Sequence, residues 1–281
     1  MSLMQLVLLS IVQGVTEWLP ISSSAHLILL HDTFGTTRES LLIDVMAHLG
    51  TLFAMVAYFR RDVWGALLGG FELIGIGRQA GNRLSERARL ALFILIATPF
   101  GLAAGIAFLA AGEGLQTLLR SPETIALATI VFGLCLWAGD ALGRRVRSQE
   151  DMLPRDAMLI GASQMLAFIP GTSRSGITMT AALMLGFERT EAARFAMLIS
   201  GPLILAGGVL ACLGLAAGGA AGASLDEGLV VAGLSFVSGY ASIWALMALL
   251  QRVGFLPFVI YRLLLGGVLL ALSPTFAGAL G

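Results

Sequence analysis

The chain has 281 residues, 57% of them hydrophobic and 12% charged, with a mean hydropathy of +0.90. A soluble domain averages about 25% charged residues, so this chain cannot cover itself in water and reads as a polytopic membrane protein. Its 17 cations, all arginine, balance 17 anions and leave no field to gather nucleic acid. Cys135 and Cys212 sit in apolar runs, which predicts two small core residues and no disulfide framework.

Taken in chain order, the run 3–19 lacks the cationic flank of a signal peptide, since no Arg precedes Arg38, and it carries Glu17. It is expected to stay in the mature protein. A spanning helix needs ~20 mostly apolar residues, and 41–59, 90–111, 124–142, 195–217, 229–250 and 255–277 meet that. The segment 63–75 reads as an interfacial helix. Two further apolar stretches, 3–30 and 157–185, are interrupted, the first at Pro20-Ile21-Ser22-Ser23-Ser24, the second at Pro170-Gly171-Thr172-Ser173-Arg174-Ser175-Gly176. A proline beside Gly or Ser stops a helix, and each half left over is too short to cross a bilayer.

Cytoplasmic loops collect arginine. Arg60, Arg61, Arg78, Arg83, Arg87 and Arg89 share one connection, and Arg144, Arg145, Arg147 and Arg155 follow the third span. Both connections are expected inside, and Arg189, Arg194, Arg252 and Arg262 fit the same side. The loops near 113–123 and at Asp226-Glu227 fall outside. With these sides fixed, 157–185 enters and leaves from the cytoplasm and 3–30 from the outer face, so both are re-entrant hairpins. Non-helical backbone at membrane depth is tolerated only inside protein or beside water, which marks both breaks as functional.

Placing Pro20 on Pro170, an offset of 150, sets Trp18-Leu19-Pro20 on Phe168-Ile169-Pro170 and Ser22-Ser23 on Thr172-Ser173. Three spans follow each hairpin, and a unit with an odd number of crossings returns upside down. The expected fold is an all-α polytopic membrane protein with six transmembrane helices plus two re-entrant helical hairpins. These form inverted-topology repeats, 1–150 and 151–281, within one integral-membrane domain.

Ionisable groups within a bilayer cost about 2.5–3.5 kcal/mol each and default to function; Glu17, His26, Asp44, His48 and Arg174 qualify. Gln13 and Glu17 lie four residues apart on one helix face, and Ser22, Ser23, Ser24 and His26 follow. Together they supply the base, acid and nucleophile that hydrolysis requires. The second break has Ala167 where a carboxylate would match and offers Gly171, Ser173, Arg174, Ser175 and Thr178 instead. Gly171 admits close backbone approach, the next helix presents free N–H groups, and a guanidinium fits phosphate bidentately. Joined by a two-fold, the sets would make a phosphate-ester or anhydride site. Plainer readings stand beside it: a bare turn with Arg174 snorkelling, His26 as a packing residue, and Asp44 and His48 paired with each other. His31 and Asp32 fit a solvated loop, and Glu150, Asp151 and Asp156 fit water. A transporter, a lipid-phosphate flippase or anion carrier, could use the same architecture. An intramembrane serine protease would have no use for Arg174.

Three segments carry a family resemblance: Gln13-x-x-x-Glu17 leading to Pro20, Ser22, Ser23 and His26; Asp44-x-x-x-His48-x-Gly50-Thr51; and Pro170-Gly171-Thr172-Ser173-Arg174-Ser175-Gly176-Ile177-Thr178. They resemble the undecaprenyl-pyrophosphate phosphatases, the integral-membrane type associated with bacitracin resistance. The resemblance implies removal of the terminal phosphate of undecaprenyl pyrophosphate, giving orthophosphate and the carrier lipid for peptidoglycan. It implies a bacterial cytoplasmic (inner) membrane protein whose site opens to the periplasmic or outer side. Ser23 is then the expected nucleophile with Glu17 or His26 as its base, or else Glu17 activates water directly. Arg174, Ser173, Thr178, Gln13, Ser22 and Gly171 are expected to bind the phosphates. A divalent cation, Mg2+ or Ca2+, is expected because pyrophosphate is multiply charged and hard cations take oxygen ligands. Gln13 stands where the family motif also allows Glu, so Glu17 is the one anionic ligand on offer. The expected partners are the polyprenyl pyrophosphate lipid and the bilayer; a homodimer is compatible with the sequence and not required by it.

Overall fold

The computed structural model describes residues 2–23, 25–27, 41–77, 84–216 and 223–273. Ser24, His31, Asp32, Arg38, Arg78 and Arg83 lie outside them. Helix α1 (Leu3–Trp18) opens on a capping box in which Ser2 and Gln5 exchange backbone and side-chain hydrogen bonds. It ends where Leu19 turns extended ahead of Pro20, as the residue before a proline must. Then come α2 (Leu41–Tyr58), α3 (Arg60–Leu73), α4 (Glu86–Ala110), α5 (Gly112–Leu119) and α6 (Pro122–Leu142). Helix α7 (Pro154–Ser163) tightens into a 3-10 turn at Gln164–Phe168, and the chain breaks before α8 (Arg174–Met184). Helices α9 (Arg189–Ala216), α10 (Leu225–Arg252) and α11 (Leu256–Leu272) are the remaining helices among the described residues. No strand forms among the described residues.

Helices α4, α6, α9 and α10 are each long and apolar enough to cross a membrane. Helices α2 and α3 qualify only as a pair bent by 88°. Helix α11, at 17 residues, is shorter than the span expected over 255–277 and ends at Ser273, which is extended; 274–277 lie outside the described residues. Ile106, Leu109, Val131, Trp137, Leu213, Trp244 and Leu264 are exposed on the outer faces of the helices. So much open apolar surface suits lipid and not water, as a multi-pass membrane protein requires.

The helices are held by close approach and hydroxyl cross-links, since lipid leaves no hydrophobic drive between them. Helix α1 packs on α10 and α2, and α7 packs on α4; α2 also meets α10 and α9, and α6 meets α11 and α8. A methyl added to Gly14 would lie 1.9 Å from Ser238 Oγ. Ser235, Ser238 and Ser242 of α10 donate to the α1 carbonyls of Ser10, Ser10 and Val15 at 3.2, 3.3 and 3.0 Å.

Three expectations change. Asp156 is 1% exposed, not solvated: it caps the first turn of α7 at Leu153 N and pairs with Arg147 at 2.5 Å. Arg262, assigned to the cytoplasmic arginines, is fully buried in the bundle. Cys212 lies exposed on α9 while Cys135 is half-buried, because an apolar run does not distinguish a core face from a lipid face.

Candidate active site

Each break turns on a serine in the left-handed region, Ser22 at φ +73° and Ser173 at φ +69°. That conformation costs a non-glycine residue on the order of 1–3 kcal/mol unless its surroundings hold it. Here they do. The Ser22 carbonyl accepts from His26 Nδ1 at 2.7 Å, and Ser173 Oγ caps α8 by accepting from Gly176 N at 3.1 Å. Ser175 Oγ donates across to the Leu19 carbonyl at 3.1 Å, tying the second break to the first.

Glu17 lies where the breaks meet, its side chain 4% exposed. One carboxylate oxygen, Oε1, accepts from Nη2 of Arg174, at the start of α8 beyond the other break. The other, Oε2, accepts from Ser23 Oγ at 3.0 Å and Gln13 Nε2 at 3.0 Å, and His48 Nε2 stands 3.9 Å away. The His48 ring is steered by its Nδ1, which donates to the Asp44 carbonyl at 2.9 Å. That leaves Nε2 as the nitrogen turned toward the carboxylate. A hydroxyl on a carboxylate, beside a guanidinium with donors to spare, is the geometry of an activated nucleophile next to an anion clamp.

These groups face a cavity of about 170 Å³ lined by Glu17, Ser22, Ser23, Gln164, Ser173 and Arg174, with His48, Phe168 and Leu203 at its side. The last three and Arg174 also border an apolar groove of about 580 Å³ that runs between α4 and α9 past Gly105, Phe108, Gly207 and Leu210. A polar chamber thus adjoins an apolar one across a shared wall. A second polar cavity, of about 210 Å³ with Arg61, Asp62, Arg87, Arg89 and Arg194, shares no residue with the first. Its Arg194 is paired with Asp62 and its Arg89 bonds the carbonyls of Glu150 and Met152.

Of the residues singled out in the sequence, Gln13, Ser23 and Arg174 all bond to Glu17, and Ser22 and Ser173 line a cavity with Glu17, Ser23 and Arg174. His26 does not join them: its Nε2 meets Tyr261 Oη at 2.5 Å and the two rings stack. Thr178 is buried and spends its hydroxyl on the Arg174 and Ser175 carbonyls at 2.8 and 3.1 Å. Gly171, at φ +95°, packs where a Cβ would lie 2.4 Å from the Ile125 carbonyl oxygen. These three shape the breaks and leave the cavity to others. His48 and Gln164 take places there that the motifs did not assign. Gln164 could have been found, for it follows Gln13 by the same 151 residues that separate Ser173 from Ser22.

No group of three or more His, Cys, Asp or Glu among the described residues is placed to hold a metal ion. The oxygen atoms at the site include the Glu17 carboxylate, the hydroxyls of Ser22, Ser23 and Ser173, and the buried Oε1 atoms of Gln13 and Gln164, which have no hydrogen-bond partner among the described residues. With Glu17 the one carboxylate lining the cavity among the described residues, this set fits a hard cation that takes its remaining ligands from phosphate and water, as Mg2+ commonly does.

Comparison with known proteins gives the site its context. The chain is 56% identical to an undecaprenyl-diphosphatase of Hyphomonas neptunium, with all of both chains covered. It is 48% identical to one of Maricaulis maris, over 96% of this chain and 98% of that one. It is 46% identical to undecaprenyl-diphosphatase 2 of Stutzerimonas stutzeri, over 97% and 98%. Residues 6–268 match the family model described as bacitracin resistance protein BacA. The chain belongs to the BacA family.

Proposed function

We infer that the protein hydrolyses undecaprenyl pyrophosphate to undecaprenyl phosphate and orthophosphate, recycling the carrier lipid for cell-wall synthesis and so opposing bacitracin. One observation carries this reading. Glu17 beside one break holds Ser23 and reaches Arg174 beside the other inside a polar cavity that adjoins an apolar groove. The diphosphate head lies in the cavity and the tail follows the groove toward lipid.

Ser23 Oγ attacks the terminal phosphorus as Glu17 takes its proton. The bond to the bridging oxygen breaks, and undecaprenyl phosphate departs as a stable anion. Water then attacks the phosphoserine, its proton passing to the departing orthophosphate, while Glu17 returns to Ser23 Oγ the proton it took as the P–O bond breaks. Only Nη2 of Arg174 is bonded to Glu17 among the described residues, so its other N–H groups can grip the phosphoryl oxygens and stabilise the charge spread over them in the transition state. His48 adds a polar contact on the groove side. A divalent cation held by Glu17, Gln13 and the substrate phosphates would neutralise further charge.

The membrane plan of six spans and two re-entrant hairpins in inverted repeats has support in the packing. The first helix of each hairpin lies against the second long helix of the other half, α1 on α10 and α7 on α4. The left-handed serines and buried glutamines stand in the same register. On this plan the site belongs to the outer side of the bacterial cytoplasmic membrane.

Orthophosphate release from detergent-purified protein supplied with undecaprenyl pyrophosphate tests the function, because hydrolysis needs no sealed bilayer and transport does. Folded protein that releases no phosphate, with or without Mg2+ or Ca2+, overturns it.

A further inference from the structure

Arg262 has no part in the sequence motifs and no carboxylate partner among the described residues, yet it is 0% exposed. Its donors go entirely to main-chain oxygens. Nη1 reaches the Pro20 carbonyl at 3.1 Å and that of Thr172 at 2.9 Å; Nη2 reaches Gly171 at 2.9 Å and Ala128 at 3.5 Å; Nε reaches Thr129 at 3.0 Å. A guanidinium has five N–H groups, and each has one carbonyl. Pro20 belongs to the first break, Gly171 and Thr172 to the second, and Ala128 and Thr129 to α6. The side chain therefore pins both breaks and a long helix at one point.

The bundle is shaped to admit it. A Cβ on Gly133 would stand 3.2 Å from Arg262 Cβ and 3.3 Å from Nε, and one on Gly176 would stand 3.1 Å from Nη1. A bare buried cation is a costly object in a membrane protein, and a neutral core residue would fill the space without that cost. The carbonyls it holds lie next to the residues that line the cavity: Pro20 is two residues from Ser22, and Thr172 adjoins Ser173.

We propose that Arg262 is a positioning residue of the phosphatase reaction. It locks the two breaks in the register that sets Ser23 and Glu17 against Arg174, and it adds positive potential behind the diphosphate. The proposal rests on the hydrolytic reading for its kinetic arm and is independent of it in its structural arm.

The test compares wild type with Arg262→Lys, Arg262→Gln and Gly133→Ala in detergent. Lysine keeps the charge and loses the planar fork; glutamine loses both; Gly133→Ala leaves the guanidinium in place and pushes it by a few tenths of an ångström. Hydrogen exchange is read at 20–24 and 171–175, and kcat and KM are read for undecaprenyl pyrophosphate. Both breaks exchange at least tenfold faster in the Arg262 variants. Their kcat falls at least tenfold for lysine and a hundredfold for glutamine, with KM within about threefold, and Gly133→Ala loses several-fold in kcat alone. Faster exchange in α11 only, or wild-type kcat in a folded Arg262 variant, overturns the proposal. If neither Arg262 variant folds, Gly133→Ala decides: unchanged exchange at both breaks overturns it. Wild-type protein inactive toward the lipid removes the hydrolytic reading, and exchange at the breaks still judges Arg262.

Discussion

Removing the Arg174 side chain separates what the guanidinium does for stability from what it does for turnover. In Arg174→Ala the Glu17 carboxylate, 4% exposed, keeps only Gln13 and Ser23 as hydrogen-bond donors among the described residues. Breaking one side of a buried pair costs about 3–5 kcal/mol. Arg174 is itself 23% exposed beside a cavity, so screening brings the expected loss to about 2–3 kcal/mol. The kinetic loss is larger: an arginine on a transferring phosphoryl group is worth about 10³–10⁵ in rate, or about 4–7 kcal/mol of barrier. Adding Glu17→Gln to Arg174→Ala removes the stranded charge and returns the melting temperature toward wild type, with turnover still lost. Thermal melts in detergent and orthophosphate release measure the two quantities. Wild-type release from folded Arg174→Ala refutes the site, and a double variant less stable than the single one refutes the reasoning about the ion pair.

Ser23→Ala lowers phosphate release by at least a thousandfold, and a phosphorylated Ser23 can be trapped by rapid quench; near-normal release by the variant would give the attack to water. His48→Gln lowers kcat about tenfold or more through the cavity. His26→Gln acts only through the shape of the first break, so adding Tyr261→Phe to it costs nothing further, as a double-mutant cycle will measure. Gly207→Leu puts bulk into the groove, since a Cβ there has no neighbour within 4 Å; it raises KM several-fold for a long polyprenyl diphosphate and leaves a short-chain one unaffected. Chelation of divalent cations lowers release from wild-type protein, and added Mg2+ or Ca2+ restores it; full activity in excess chelator would remove the cation from the reaction.

The helices and the breaks were legible because their causes are local. Proline stops a helix whatever surrounds it, and an apolar run of span length shows in composition. What local pattern leaves out is which face of a helix meets protein. That is why Cys212 was expected in the core and Arg262 at a cytoplasmic edge, and why His26 was favoured over His48. His26 follows the serines in the chain, but the turn at Ser22 sends its ring to Tyr261, while His48 reaches Glu17 from a separate helix, α2. The aligned prolines gave a register of 150, whereas the left-handed serines and buried glutamines differ by 151. Conformation follows the residues that must turn, and the proline need only stand nearby.

The two chambers divide the work of recognising an amphiphile. The groove walls at Phe108, Leu203 and Leu210 are no more apolar than the lipid they open to, so a tail passing from bilayer to groove gains almost no hydrophobic free energy. Tail contacts are also the same before and after the phosphoryl group moves, and binding that is uniform between ground and transition states lowers KM without raising kcat. On the proposed mechanism, rate must therefore come from the head, where Glu17, Ser23 and Arg174 would meet charge that redistributes during the reaction. On the proposed reading the groove serves access. It would let a lipid-anchored diphosphate reach a polar cavity without drawing its tail through water, which would account for Glu17, Ser23 and Arg174 lying at two breaks inside the bundle and not on a loop at its surface.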